Sequence, residues 1–166
     1  MKKIYLAGPE VFDKNAIKIG KTLVKKCKKK GFKGLFPLDN FVEGSSKAEL
    51  SKNIFLANKK MIERSDYVIA NINSWRGSEP DSGTIWEIGF AIGLGIPVYG
   101  YIDNPEQSYL DKFDTNDIFA LGGESEGEYV DSLDKIIEDF DNPVNLMISE
   151  SITICKSFKD CLKALS

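Results

Sequence analysis

Five short apolar runs, at residues 3–7, 32–36, 67–72, 96–102 and 151–155, are separated by segments with helical spacing, and this alternation constrains the fold more than any other feature of the chain. The runs are apolar nearly throughout, where a half-exposed strand would be apolar only at every second position. Strands of that kind are buried on both faces. Strands that alternate with helices close parallel β-α-β units through right-handed crossovers. The expected fold class is therefore α/β, a five-stranded parallel sheet with helices on both faces, in one domain over residues 1–166. A chain of 166 residues buries about two thirds of its unfolded surface, enough for a core without disulfides or metals.

The helical segments follow from periodicity. Residues 15–30 place Ile17, Ile19, Leu23, Val24 and Cys27 between lysines and close at Gly31, so the lysines of 25–30 read as the wet face and last turn of an amphipathic helix. Residues 47–64, 83–94 and 158–165 continue the series, with a further short helix expected over 133–140. Residues 103–131 are acidic and weakly patterned, which predicts a long loop.

Missing residue types exclude whole mechanisms. The chain has no histidine, which removes Ser-His-Asp and Cys-His nucleophiles, imidazole acid-base chemistry and histidine-ligated zinc. The three cysteines, Cys27, Cys155 and Cys161, have no C-x-x-C spacing, so no metal site is expected and a reducing, cytoplasmic setting fits. A net charge of -3 lacks the basic excess of a nucleic-acid binder. No apolar stretch is long enough for a membrane span or leader. Gly8-Pro9-Glu10 is not a G-x-G-x-x-G turn and no Walker lysine follows it, so no nucleotide cofactor is expected.

In an open parallel sheet, ligands bind beyond the carboxyl ends of the strands. That points to residues 8–13, 37–44, 73–83 and the region after Tyr101. The informative stretch is 76–89, where Asp81 stands just before a helix and Glu87 one turn inside it. Two readings stand open. Thr84 with Glu87 three residues on has capping-box spacing, and Asp81 would favour the helix start. Alternatively both carboxylates face one cleft, and the small residues Gly89, Ala91 and Gly93 let the helix lie close against the sheet.

At these residues the sequence resembles the nucleoside 2-deoxyribosyltransferases. The resemblance starts at Lys3-Ile4-Tyr5-Leu6-Ala7-Gly8-Pro9, passes through Pro37-Leu38-Asp39-Asn40 and Asn58 with Ser65-Asp66, is strongest at Glu79-Pro80-Asp81-Ser82-Gly83-Thr84 to Glu87-Ile88-Gly89, and returns at Asn145-Leu146-Met147. It implies a flavodoxin-like (Rossmann-like) sandwich. It also implies an enzyme of nucleoside salvage that moves 2-deoxyribose between nucleobases through a covalent deoxyribosyl-glutamate. By resemblance Glu87 is the nucleophile, Asp81 handles the proton of the base, and Tyr5 orients Glu87. Gly8, Asp39, Asn40, Asn58, Gly83, Asn145 and Met147 would contact substrate, with Asn145 supplied by a neighbouring subunit of a homo-oligomer. The implied partners are 2'-deoxynucleosides and free nucleobases, with no cofactor.

The nearest alternative is an N-glycosidase of 2'-deoxynucleosides or their 5'-monophosphates on the same sheet. It needs donors for a phosphate near the first loop, where this chain has Pro9-Glu10-Val11-Phe12-Asp13. A phospho-accepting receiver domain needs an acidic pair after the first strand and an aspartate after the third, and Gly8-Pro9 and Asn71-Ile72-Asn73 supply neither.

Overall fold

The computed structural model describes residues 1–39 and 42–165. In chain order it has β1 (Lys3–Ala7), α1 (Ala16–Lys29), β2 (Lys33–Leu35), α2 (Lys47–Glu63), β3 (Tyr67–Asn71), α3 (Ser82–Gly93) and β4 (Val98–Tyr101). There follow β5 (Ile118–Ala120), β6 (Tyr129–Asp131), β7 (Ile136–Ile137), α4 (Leu146–Ser149), β8 (Thr153–Cys155) and α5 (Phe158–Ala164). Five strands form one sheet in the order β2-β1-β3-β4-β8, and every pairing in it is parallel. The expected α/β sheet is therefore present. Its order reverses between β1 and β3, the place where such sheets open a crevice.

Alternate side chains of the buried strands feed two cores. Tyr5, Ala7, Val68 and Ala70 pack with Met61 and Ile62 of α2, Ile88 and Ala91 of α3, and Ile148 of α4. Ile4, Leu6 and Ile69 pack with Cys27 of α1 and with Phe158, Cys161 and Leu162 of α5. Helix α1 comes close to the sheet at Gly20, where a Cβ would lie 2.3 Å from the ring of Phe36. Its lysines take the outer face, as the periodicity predicts.

Two expectations are corrected beyond β4. Residues 103–131 are not one irregular loop, since β5, β6 and β7 form a small antiparallel sheet. The helix expected over 133–140 is instead a turn leading into β7. Leu133, Ile136, Ile137 and Phe140 have helical spacing, but only Ile137 is buried. The local chemistry explains the turn: the Asp131 carboxylate accepts from the N–H groups of Leu133 and Lys135, both at 2.9 Å, and Asp134 adopts a left-handed φ of 60°. Among the described residues no helix is long and apolar enough to cross a membrane.

Candidate active site

Helix α3 starts at the carboxylate that caps it. Asp81 Oδ2 accepts from the backbone N–H of Thr84 and from its hydroxyl, both at 2.9 Å, satisfying one orphan donor of the first turn. Thr84 is thus the residue being capped, and the Thr84–Glu87 capping box does not form. Thr84, Ile88 and Ala91 are the buried face of this helix. Gly89 and Gly93, expected to press against the sheet, lie on the outer face with open space around them.

Glu87 projects from α3 toward the sheet, where Tyr5 of β1 donates a hydrogen bond to Glu87 Oε1. Tyr5 is fully buried. Burial and the adjacent carboxylate push its hydroxyl far above the usual phenol range, so it remains a donor. Burial also raises Glu87, to about 7; the Tyr5 hydrogen bond pulls it down and the charge of Asp81 adds to the rise. Oε2 of Glu87 and Oδ1 of Asp81 have no hydrogen-bond partner among the described residues. Each carboxylate therefore has one oxygen engaged by the protein and one available.

Both groups line a cavity of about 600 Å³ at the reversal point of the sheet. Gly8, Val11 and Phe12 come from the loop after β1; Pro37, Leu38 and Val42 from the segment after β2; Leu50, Ile54 and Asn58 from α2; and Asp81, Gly83, Thr84 and Glu87 from the start of α3. The described lining contains two carboxylates, one amide and one hydroxyl, and no Lys or Arg. It can hold an uncharged molecule with an apolar ring against two acidic groups. A wider groove of about 760 Å³ along α1, lined by Lys14, Lys18, Lys21 and Lys25, shares only Val11 and Leu38 with it. Among the described residues no cluster of three or more Cys, Asp or Glu is placed to hold a metal ion.

The structure thus brings Glu87, Asp81, Gly8, Asn58 and Gly83 together, with Tyr5 directly behind Glu87. Asp39 is not in the lining; its Oδ2 accepts from the Phe36 N–H at 3.1 Å and fixes the turn Pro37–Asp39. Asn40 lies outside the described residues. Asn145 and Met147 do not line the cavity of their own chain. Asn145 caps α4, accepting from Met147 N–H at 3.0 Å and donating to Glu138 at 2.6 Å. Met147 is 72% exposed. The ranges 8–13 and 37–44 contain Val11, Phe12, Leu38 and Val42, but that these residues form an apolar wall was missed, as were Leu50 and Ile54 of α2. A signal existed in α2, where Leu50, Ile54, Phe55, Leu56, Met61 and Ile62 are too many for one sheet-facing stripe.

The parallel sheet of order β2-β1-β3-β4-β8 is flavodoxin-like, and Asp81 and Glu87 share one cavity at its reversal point. The sequence model of the family described as nucleoside 2-deoxyribosyltransferase matches residues 4–147, and the chain belongs to that family. It is similar in structure to a 2-desoxiribosyltransferase from Leishmania mexicana, with a TM-score of 0.76 and 26% identity over 99% of this chain and 97% of the other. A conserved protein from Enterococcus faecalis gives a TM-score of 0.61 at 25% identity, covering 98% and 96%. A 2-deoxyribosyltransferase from Bacillus psychrosaccharolyticus, with a TM-score of 0.59 at 23% identity over 95% and 88%, shares the fold. An uncharacterised protein of Schizosaccharomyces pombe is 33% identical over 102 residues, 59% of this chain and 48% of the relative. The chain thus spans about half the length of that curated relative.

Proposed function

We propose that the protein transfers 2-deoxyribose between nucleobases, with Glu87 as the covalent nucleophile. The observation that carries this reading is the buried Tyr5–Glu87 pair beside Asp81 in a cavity whose described lining holds no cation. Breaking an N-glycosidic bond develops positive charge at the anomeric carbon and negative charge on the base. Glu87 Oε2 bonds to the anomeric carbon as the bond to the base breaks, and Asp81 supplies a proton to the leaving base, the division of labour of a retaining glycosidase. A second base then attacks the same carbon, the ester to Glu87 breaks, and the proton of the incoming base returns to Asp81. Tyr5 holds Oε1 and leaves Oε2 for attack. Asn58 and Gly83 border the sugar, and the apolar wall takes the base.

The same reading makes Asn145 and Met147 contributions to a neighbour's site in a homo-oligomer. Two features support it: both residues lie outside their own cavity, and α2 and α3 expose the apolar side chains Ile54, Phe55, Leu56, Trp86 and Ile92, of the kind a subunit interface covers. A cytoplasmic role in nucleoside salvage fits the free cysteines.

Incubation with deoxyinosine and free adenine tests the activity. Transfer yields deoxyadenosine, whereas free deoxyribose alone would make the protein a hydrolase. A parallel reaction with deoxyinosine 5'-monophosphate separates the nucleotide-cleaving alternative, which the absence of Lys and Arg from the described lining disfavours.

A further inference from the structure

The wall of the cavity nearest β1 carries one polar side chain that faces away from it. Gly8, Val11 and Phe12 line the cavity, while Glu10, in the same short turn Pro9–Phe12, points toward the strand ends. Its Oε1 accepts from the Tyr101 hydroxyl at 2.6 Å and from Asn71 Nδ2 at 2.7 Å. Asn71 and Tyr101 are the last residues of β3 and β4. They fall in step with Ile69 and Tyr99, on the sheet face opposite Tyr5. Asn71 Oδ1 accepts from the backbone and side-chain N–H groups of Asn73, at 3.0 and 2.8 Å. Asn73 Oδ1 accepts from the Asp103 N–H at 3.0 Å. One hydrogen-bonded chain therefore joins the loops leaving β1, β3 and β4. Gly8 makes room for it: a Cβ there would lie 2.0 Å from Glu10 Oε2 and 2.9 Å from the Asn71 Cβ.

We infer that Glu10 is a positioning residue whose hydrogen bonds to Asn71 and Tyr101 hold the Pro9–Phe12 turn in place, so that Val11 and Phe12 shield the deoxyribosyl-enzyme from water and favour transfer over hydrolysis. The inference rests on the transferase reading. In hydrolysis a water oxygen bonds to the anomeric carbon as its bond to Glu87 breaks, and the water proton passes to Asp81. In transfer a base nitrogen forms that bond and gives up its proton to the same group. The two outcomes differ in what reaches the carbon, so they depend on enclosure. Pro9, Val11 and Phe12 have no polar side-chain atoms, so Glu10 is the turn's side-chain hydrogen-bond tie to the sheet. Burial and the negative charge of Glu10 raise the Tyr101 hydroxyl well above the usual range, which keeps it a donor.

The test compares wild type, Glu10→Ala, Glu10→Gln and Tyr101→Phe in the deoxyinosine and adenine reaction, measuring deoxyribose against deoxyadenosine together with melting temperature. Glu10→Ala should raise the hydrolysis-to-transfer ratio about tenfold or more, the scale of effect that small misplacements far from the chemistry produce. Glu10→Gln keeps an acceptor oxygen and should restore the ratio, and Tyr101→Phe should fall between. Lower yield or melting temperature with an unchanged ratio would overturn the inference by making Glu10 merely structural. If Glu10→Ala fails to fold, Tyr101→Phe decides alone, and an unchanged ratio there overturns the inference. A wild-type protein that produces only deoxyribose would instead overturn the transferase reading beneath it.

Discussion

Tyr5 and Glu87, 82 positions apart in sequence, meet through a single hydrogen bond from a fully buried phenol to a carboxylate oxygen. Burial disfavours the charged carboxylate and the phenol favours it, and the balance leaves Glu87 at about 7. In the proposed role of nucleophile Glu87 must be ionised, and on that reading this balance sets how much of the protein is competent at neutral pH.

The acid limb of kcat/KM should therefore lie near pH 7, with activity rising as Glu87 loses its proton. Tyr5→Phe removes the interaction that lowers Glu87 and should move that limb to higher pH. A pH-rate series on both proteins checks the direction; a downward move would contradict the pairing.

Stability should show the opposite trend from activity. Glu87 is raised in the folded protein from 4.5 to about 7, so the native state binds the extra proton between those values. Its contribution to stability is then lost as pH rises through that window, a cost on the order of 3 kcal/mol when complete. Glu87→Gln should raise the melting temperature at pH 8 and change it little at pH 5. Calorimetry at the two pH values separates this from a general packing effect.

Asp81 both caps α3 and lines the cavity, and two substitutions separate these tasks. Asn is as good a cap as Asp, whereas Ala loses about 1 kcal/mol of helix stability. Asp81→Asn should keep the melting temperature and lose turnover, most strongly with poor leaving bases and least with an activated base. Equal losses on both bases would assign Asp81 to sugar binding or structure.

Glu87→Ala should lose about 10³-fold or more in turnover while remaining folded, as removal of a nucleophile does. If Asn145 serves a neighbour's cavity, Asn145→Ala should also be poorly active, and mixing the two variants should recover activity in hybrid oligomers. A fully active monomer by sedimentation would refute the shared site.

Gly20→Ala should destabilise the protein by about 1–3 kcal/mol, because its Cβ would meet the ring of Phe36, itself 2% exposed. Denaturant unfolding measures the change, and activity per folded molecule should be retained.

The main sheet was legible because β1 and β3 are apolar nearly throughout and α1 carries a clear amphipathic stripe. Beyond β4 the signal failed for a physical reason. The short strands β5 to β7 lie in an acidic stretch with few apolar residues, unlike β2 and β8, and the spacing of Leu133, Ile136, Ile137 and Phe140 imitates a helix although most of those side chains face outward. At the site, the position of Asp81 and Glu87 around a helix start was readable. Spacing could not show that Glu87 turns to Tyr5 instead of to Thr84, since that depends on how α3 lies across β1. Glu10 was passed over because its partners, Asn71 and Tyr101, become neighbours only once β3 and β4 are aligned.

The small antiparallel sheet and α4 lie in sequence between β4 and β8, two strands that are neighbours in the main sheet. During synthesis the groups around the cavity, from Tyr5 to Glu87, have all emerged before the strand that covers β4. Until β8 arrives, β4 is a bare edge, the kind of surface on which unfinished chains pair wrongly. The residues that emerge directly behind that edge, 103–131, are acidic, and charge is one of the means by which exposed edges avoid pairing with other chains.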